Sequence, residues 1–474
     1  MDLQGIIDRL LPILPTALII ALVFIGGSYL SYALYRKRGG RRNVTARQVI
    51  ATFLILAWFV VVMVLTTFSR GANYEGWVNF RIFSGYVNAW NQWSLQEWQL
   101  IIFNMLMFAP LGFLLPLLGK TTRRFGPVLL LSLLITLGIE CIQMLSRRGI
   151  FELDDILHNT LGSMAGYFVM SAILNTAERR KLAVRSVWKA LSIPLFFALL
   201  FSGAMLVYNM KELGNLSIRP AITQDMSHVK VTLNANLPTE AEPVSLYSNS
   251  RIHHLKYGEE MAGLMKRTFN LQQVGGVRMD GFNRIWMLHA DDGKEYTFNY
   301  AVNDGGWWLS TEGDGSGPME QEELAKHGEY YGSWMLSSGI LPPNAVFSTQ
   351  NEDTIRWDIE WSIADIARGN NDYTSGMVMI APSGEHQIPH NLFYSLQENK
   401  FVRKIEIISP AQAYMDVAKG NFYVFNNLKN GDQLNVDEYE LTYTYDSKGY
   451  YQPVYRFTGT VNESSWSTLI PAVK

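Results

Sequence analysis

Eight polar or ionisable side chains fall in or beside the apolar runs of the first 209 residues: Asn104, Glu140, Gln143, His158 and Asn159 within them, Asp154 and Asp155 at the mouth of the fifth, and Arg148 in the short loop before it. Polar groups at such depths are costly and normally face a bundle interior or a cavity. Two carboxylates, Glu140 and Asp155, could divide acid and base work if their surroundings split their pKa values. The same groups could instead form a pocket for a charged ligand, or hydrogen-bond to one another and lock helices together. Three acids with one arginine exceed what locking requires, which favours the pocket, for a lipid headgroup or another envelope-active ligand. Glu140 and Gln143 are three apart, and Asp155 and Asn159 four apart, so each pair shares a helix face. Arg148 is placed to pair with Glu140, Asp154 or Asp155. Pro110, Gly112, Gly162 and Gly166 are the expected helix-packing positions. Gly162 and Gly166 make a small-xxx-small step that admits a close neighbour, and Pro110 frees a backbone carbonyl beside the polar layer.

A bilayer core of roughly 30 Å needs about 20 apolar residues in helix, and six stretches qualify: 11–35, 48–68, 99–118, 127–145, 156–174 and 190–208. The fourth and fifth carry the polar residues, so hydropathy alone supports them less. Arg9, Asp2 and Asp8 before a long first run do not make a signal peptide. Arg36, Lys37, Arg38, Arg41, Arg42 and Arg47 fill the first loop. Lys120, Arg123 and Arg124 fill the third, and Arg179, Arg180, Lys181, Arg185 and Lys189 the fifth. The intervening loops carry Arg70 with Arg81, and Arg147 with Arg148. By the positive-inside rule the first, third and fifth loops are cytoplasmic, and both termini are extracytoplasmic. Asn104, Glu140 and Asn159 then lie at one depth, ~8 Å below the outer ends of three antiparallel helices at 1.5 Å per residue. The loop over 69–98, with Trp77, Phe80, Phe83, Tyr86, Trp90, Trp93 and Trp98, is expected at headgroup level, as an anchoring belt or as a lid.

The 474 residues carry a formal net charge of −2, which gives no global field for nucleic acid. The single cysteine, Cys141, excludes an intramolecular disulfide. Residues 210–474 must therefore hold together through an ordinary core, a pattern more at home on a bacterial surface than in animal secretion.

That second half is expected to be an extracytoplasmic α+β domain, in two similar halves, 219–318 and 319–474. Strands are expected at 229–233, 243–247, 281–289, 294–300, 307–310, 354–362, 376–380 and 402–408, and helices at 259–269, 321–336 and 411–417. A closing hairpin, 437–445 with 452–458, turns at Ser447-Lys448-Gly449. Three local patterns read as ordinary structure. His386-x-x-x-His390 lacks the Glu of a zinc helix, and Pro389 breaks it. Asp291-Asp292-Gly293 and Asp314-Gly315 are turn chemistry. Trp357-Asp-Ile-Glu-Trp361 alternates a solvated acidic face, Asp358 and Glu360, with core-packed tryptophans. No metal site and no cofactor is expected.

The stretch Asn104-Met-Leu-Met-Phe-Ala-Pro-Leu-Gly-Phe113 resembles the first motif of the VanZ-like family. Glu140-x-x-Gln143, Arg148 and Phe151-x-x-Asp154-Asp155-x-x-x-Asn159-x-x-Gly162-x-x-x-Gly166-Tyr167 look like its second. Val78-Asn79-Phe80 and Phe83 resemble the segment before the first motif, with Ile82 where a proline is usual. The resemblance covers about residues 50–175. It implies a bacterial envelope protein linked to tolerance of a lipoglycopeptide antibiotic, teicoplanin, and supplies motif positions rather than a reaction. Ser409–Phe422 and Tyr451–Phe457 resemble extracytoplasmic regulatory domains of the YycI type, which partner sensor kinases in Gram-positive bacteria. The expectation is a non-enzymatic envelope protein in contact with the lipid bilayer. Its partner is a lipid-linked peptidoglycan precursor, a lipoglycopeptide or an envelope protein. The alternatives are an intramembrane enzyme acting on a lipid-linked precursor through Glu140 and Asp155, a regulatory or sensor protein, and a transporter.

Overall fold

The computed structural model describes residues 13–40, 43–68, 78–181, 183–312, 318–351, 353–383, 388–424 and 427–474. Asp2, Asp8, Arg9, Arg41, Arg42, Arg70, Trp77, Asp314, Gly315 and His386 lie outside those residues, as does the start of the first expected span. The chain divides into two compact units, residues 1–90 with 94–211, and 91–93 with 212–474.

The first unit is helical: α1 (Ile13–Lys37), α2 (Ala46–Met63), α3 (Ser84–Gln92), α4 (Leu95–Leu114), α5 (Phe125–Leu145), α6 (Leu153–Arg179) and α7 (Val184–Met210). Two short strands, β1 (Val78–Asn79) and β2 (Phe151–Glu152), pair in parallel. α2 starts where Thr45 and Gln48 close a capping box, each side chain accepting the other's backbone N–H. Five helical stretches are long and apolar enough to cross a membrane: Leu18–Lys37, Ala46–Phe68, Leu95–Leu117, Phe125–Leu145 and Val184–Met210. The remaining expected span, the fifth at 156–174, falls within α6. That helix has 27 residues, ~40 Å at 1.5 Å each, but its polar first half keeps it out of the apolar set. The apolar side chains of α7, such as Phe196, Leu199 and Leu206, are exposed in the unit, as lipid-facing surface would be.

Contacts sort the helix ends. Gln48 Nε2 donates to Leu118 O (2.5 Å), Arg123 pairs with Glu178 (2.6 Å), and Tyr167 Oη donates to Arg123 O (3.0 Å). The start of α2, the end of α4, the start of α5 and the end of α6 therefore meet at one end of the bundle, rich in cations. At the other end Arg148 donates to Phe68 O (3.1 Å) and β1 pairs with β2. The expected aromatic loop holds β1 and α3. Its Phe80 and Phe83 are exposed, whereas Tyr86, Trp90, Trp93 and Trp98 are half-buried.

The second unit is built on a 15-stranded sheet, antiparallel apart from the pairing of Lys230–Leu233 with Gln433–Tyr445. One core packs helices Leu255–Thr268 and Gln321–Ser337 on the sheet around Phe298, Tyr300, Trp307 and Tyr331. The Trp307 and Tyr394 rings stack there at 4.8 Å. The other core gathers Tyr247, Phe422 and Phe457 beside helix Pro410–Ala418. That helix opens with a Ser409–Gln412 capping box and Pro410 in its first turn. Trp357 is buried, but Trp361 is not: its strand ends at Ile359, so the alternation stops and Trp361 lies 46% exposed, against Tyr373.

The hairpin of Gln433–Tyr445 and Tyr450–Val461 turns through Asp446, whose carboxylate is buried. It accepts from Gly214 N (2.6 Å), Lys448 N (2.7 Å), Tyr450 N (3.0 Å) and Gln452 Nε2 (2.5 Å). Burial pushes the Asp446 carboxyl above the ordinary carboxylate value, while these donors pull the other way. With the folded-state value raised, the stability it contributes is complete below the unfolded-state value and is lost as pH rises through the raised one. Asp446→Asn is expected to remove this component from the melting midpoint of the purified chain, followed by tryptophan fluorescence across the acidic range.

Candidate functional site

α5 carries a stripe of buried polar side chains, Ser132, Thr136, Glu140 and Gln143, spaced four, four and three so that all lie on one face. The stripe meets α6 rung by rung. Ser132 Oγ and Ser163 Oγ are 2.6 Å apart, Asn159 Nδ2 donates to Thr136 Oγ1 (2.9 Å), and Glu140 accepts from Glu152 N (3.3 Å). Glu140 is only 1% exposed. Among the described residues, Asn159 Oδ1 and Thr160 Oγ1 are buried with no hydrogen-bond partner. A buried acceptor left unmade costs of the order of 1–3 kcal/mol, so Asn159 Oδ1 marks the place where a donor is missing.

On its other side α6 meets α4 at backbone contact. A Cβ on Gly162 would overlap Met105 O, one on Gly166 would overlap Ala109 O, and one on Gly112 would overlap Ser163 O. That approach brings Asn104 Nδ2 to Asp155 Oδ1 (2.6 Å), both side chains half-buried. Pro110, in α4, leaves the Leu106 carbonyl without its helical N–H. The indole of Trp58 donates to the neighbouring Met107 O (2.6 Å).

The two adjacent aspartates do different things. Asp154 is buried and accepts from Phe83 N (2.5 Å), Gly85 N (2.7 Å) and Ser84 Oγ (3.1 Å). It therefore caps α3 from a distant part of the chain, satisfying N–H groups that a helix start leaves open. Asn79 joins it, donating to Ser84 Oγ (2.8 Å) and Glu152 Oε1 (3.2 Å). His158 Nε2 lies 2.8 Å from Tyr86 Oη. Gln143 is buried on α5, and Arg148 reaches the Phe68 carbonyl. The layer therefore has two parts: a braced rim at Asp154, and an inner group that α6 divides, Asn104 with Asp155 toward α4 and Glu140 with Asn159 toward α5.

Sequence reading passed over Ser132, Thr136, Ser163 and Glu152. The four-residue spacing back from Glu140 would have found the first two. Glu152 contributes its backbone N–H to Glu140, and no side-chain pattern signals that.

Residues 49–175 match the VanZ/LLP1 family. The VanZ-like resemblance read at residues 50–175 covers the same stretch, and every member of the polar layer falls inside it. The match, together with the apolar helices, supports a multi-pass membrane protein. No curated protein matches the chain. Among solved structures, the Bacillus megaterium YpeB C-terminal domain is similar at 14% identity. That likeness covers 46% of this chain and 93% of that one, with a TM-score of 0.21. An uncharacterized protein from Eubacterium rectale is similar at 11% identity, covering 52% and 87%, with a TM-score of 0.22. Scores this low carry no argument about fold or function, so the functional reading rests on the VanZ/LLP1 segment alone.

Proposed function

We propose that the inner polar group of the VanZ/LLP1 segment is a ligand site facing the outer leaflet of a Gram-positive cell membrane. Through it the protein contributes to tolerance of teicoplanin-type lipoglycopeptides. In this reading α6 is a crossing too, the fifth of six, the cation-rich end is cytoplasmic, and residues 210–474 stand outside as a binding or regulatory domain. Two facts support the crossing by α6: its ends lie at opposite ends of the bundle, and α4 and α5 flank it along its length.

The observation that carries the site is the buried, partnerless Asn159 Oδ1, on a helix that carries Asp155 one turn earlier and packs against the α5 face bearing Glu140. Such a set is rich in acceptors and calls for a ligand that brings donors: amide N–H groups, hydroxyls or an ammonium. Lipoglycopeptides and the stem peptide of a lipid-linked peptidoglycan precursor both present such groups. A buried carboxylate holds a donor strongly, because charge-assisted hydrogen bonds are roughly twice as strong as neutral ones.

Deletion of the gene is expected to sensitise cells to teicoplanin, and the wild-type chain to restore growth. Glu140→Gln and Asp155→Asn, near-isosteric changes that remove the charge, are each expected to fail to restore it at unchanged membrane abundance. Full rescue by both variants would sink the proposal.

A further inference from the structure

The cation-rich end of the bundle holds a feature that the polar layer does not use. A cavity of about 730 Å³ opens between the ends of α4 and α6 and the starts of α5 and α7. That volume lies in the range of about 300–1,000 Å³ that holds a drug-sized ligand. Arg123, Arg179, Arg185 and Lys189 line it, and Glu178 is the one carboxylate on its wall. Among the described residues, only Arg123 of the four cations has an ion-pair partner, Glu178. Three exposed cations around one cavity raise the local positive potential and attract an anion. The lining is also apolar and aromatic: the Phe125 and Phe168 rings stack at 5.9 Å, and Leu174 belongs to it.

We propose that this cavity binds an anionic, phosphate-bearing amphiphile. The arginine and lysine groups take the phosphate oxygens, and the Phe125–Phe168 wall takes the first part of an acyl chain. Guanidinium groups suit this task because their forked donors engage two oxygens at once. Basic pockets between helix ends hold phospholipid headgroups in the same way. A free phosphate would satisfy the cations yet leave the aromatic residues without an apolar partner, so the mixed lining favours the lipid. The proposal is independent of the outer polar layer, and either can fail without the other.

The test uses the full-length chain in phosphatidylcholine nanodiscs, titrated with short-chain phosphatidylglycerol, short-chain phosphatidylcholine or inorganic phosphate. Phosphatidylglycerol is expected to bind at least tenfold more tightly than phosphatidylcholine. The combined variant Arg179→Gln, Arg185→Gln, Lys189→Gln is expected to lose roughly a hundredfold in that affinity, about one factor of five per cation. A control variant in the first loop, Lys37→Gln with Arg38→Gln, is expected to bind as the wild type does. Equal binding of both lipids, undiminished binding by the triple variant, or equal loss in the control would each overturn the proposal. Inorganic phosphate competing as well as the lipid would overturn it too, in favour of a free anion site.

Discussion

Gly166→Leu is expected to abolish accumulation of the folded membrane unit. The position has no room for even a Cβ, because the obstacle is the backbone oxygen of Ala109 rather than a flexible side chain. Relief requires α4 and α6 to separate, which would also part Asn104 from Asp155. Overpacking a tight core costs about 1–3 kcal/mol or more, and total stability is only about 5–15 kcal/mol. Gly162→Leu meets Met105 O in the same way and is expected to behave alike. Gly138→Leu is the internal control, since a Cβ there meets nothing within 4 Å. Fluorescence-detected gel filtration of tagged variants reads the outcome. A monodisperse Gly166→Leu peak of wild-type height would refute the close crossing.

Asp154→Ala is expected to release α3 from the bundle while leaving α5 and α6 in place. It strips Phe83 N, Gly85 N and Ser84 Oγ of one shared carboxylate at once. Each buried donor left unsatisfied costs about 1–3 kcal/mol. Asp154→Asn keeps one acceptor oxygen and is expected to lose less. Hydrogen exchange at the Phe83 and Gly85 amides should accelerate at least about tenfold in the alanine variant, the factor expected from a loss of ~1.4 kcal/mol in local opening. Unchanged exchange would mean that α3 is held by its aromatic contacts, such as Tyr86 against His158. The contrast also separates the neighbours: Asp154 acts on local structure, whereas Asp155 is proposed to act on a ligand.

The sequence exposed the polar layer because charge inside an apolar run has few cheap explanations, and because Asp155–Asn159 and Glu140–Gln143 repeat at helical spacing. It also exposed most elements of the second unit, where strand alternation and capping residues such as Ser409 and Gln412 are local signals. Long-range work was not legible. Asp154 looked like part of a charged cluster because its partners lie about 70 residues earlier in the chain. Both cores of the second unit draw on scattered stretches: the first takes Leu309 and Leu324 from either side of residue 318, and the second pairs Tyr247 with Tyr443. The cavity of Arg123, Arg179, Arg185 and Lys189 was spread over two loops, each of which read as an ordinary positive-inside signal.

The most direct test of the outward-facing site is chemical access from outside the cell. The native Cys141 is first replaced by serine, and Asn104→Cys is then introduced as the only thiol, at the half-buried edge of the inner polar group. A membrane-impermeant maleimide applied to intact cells is expected to label it, and teicoplanin to slow the labelling. Labelling that appears only after the membrane is permeabilised would place the layer on the wrong side and contradict the outward-facing site.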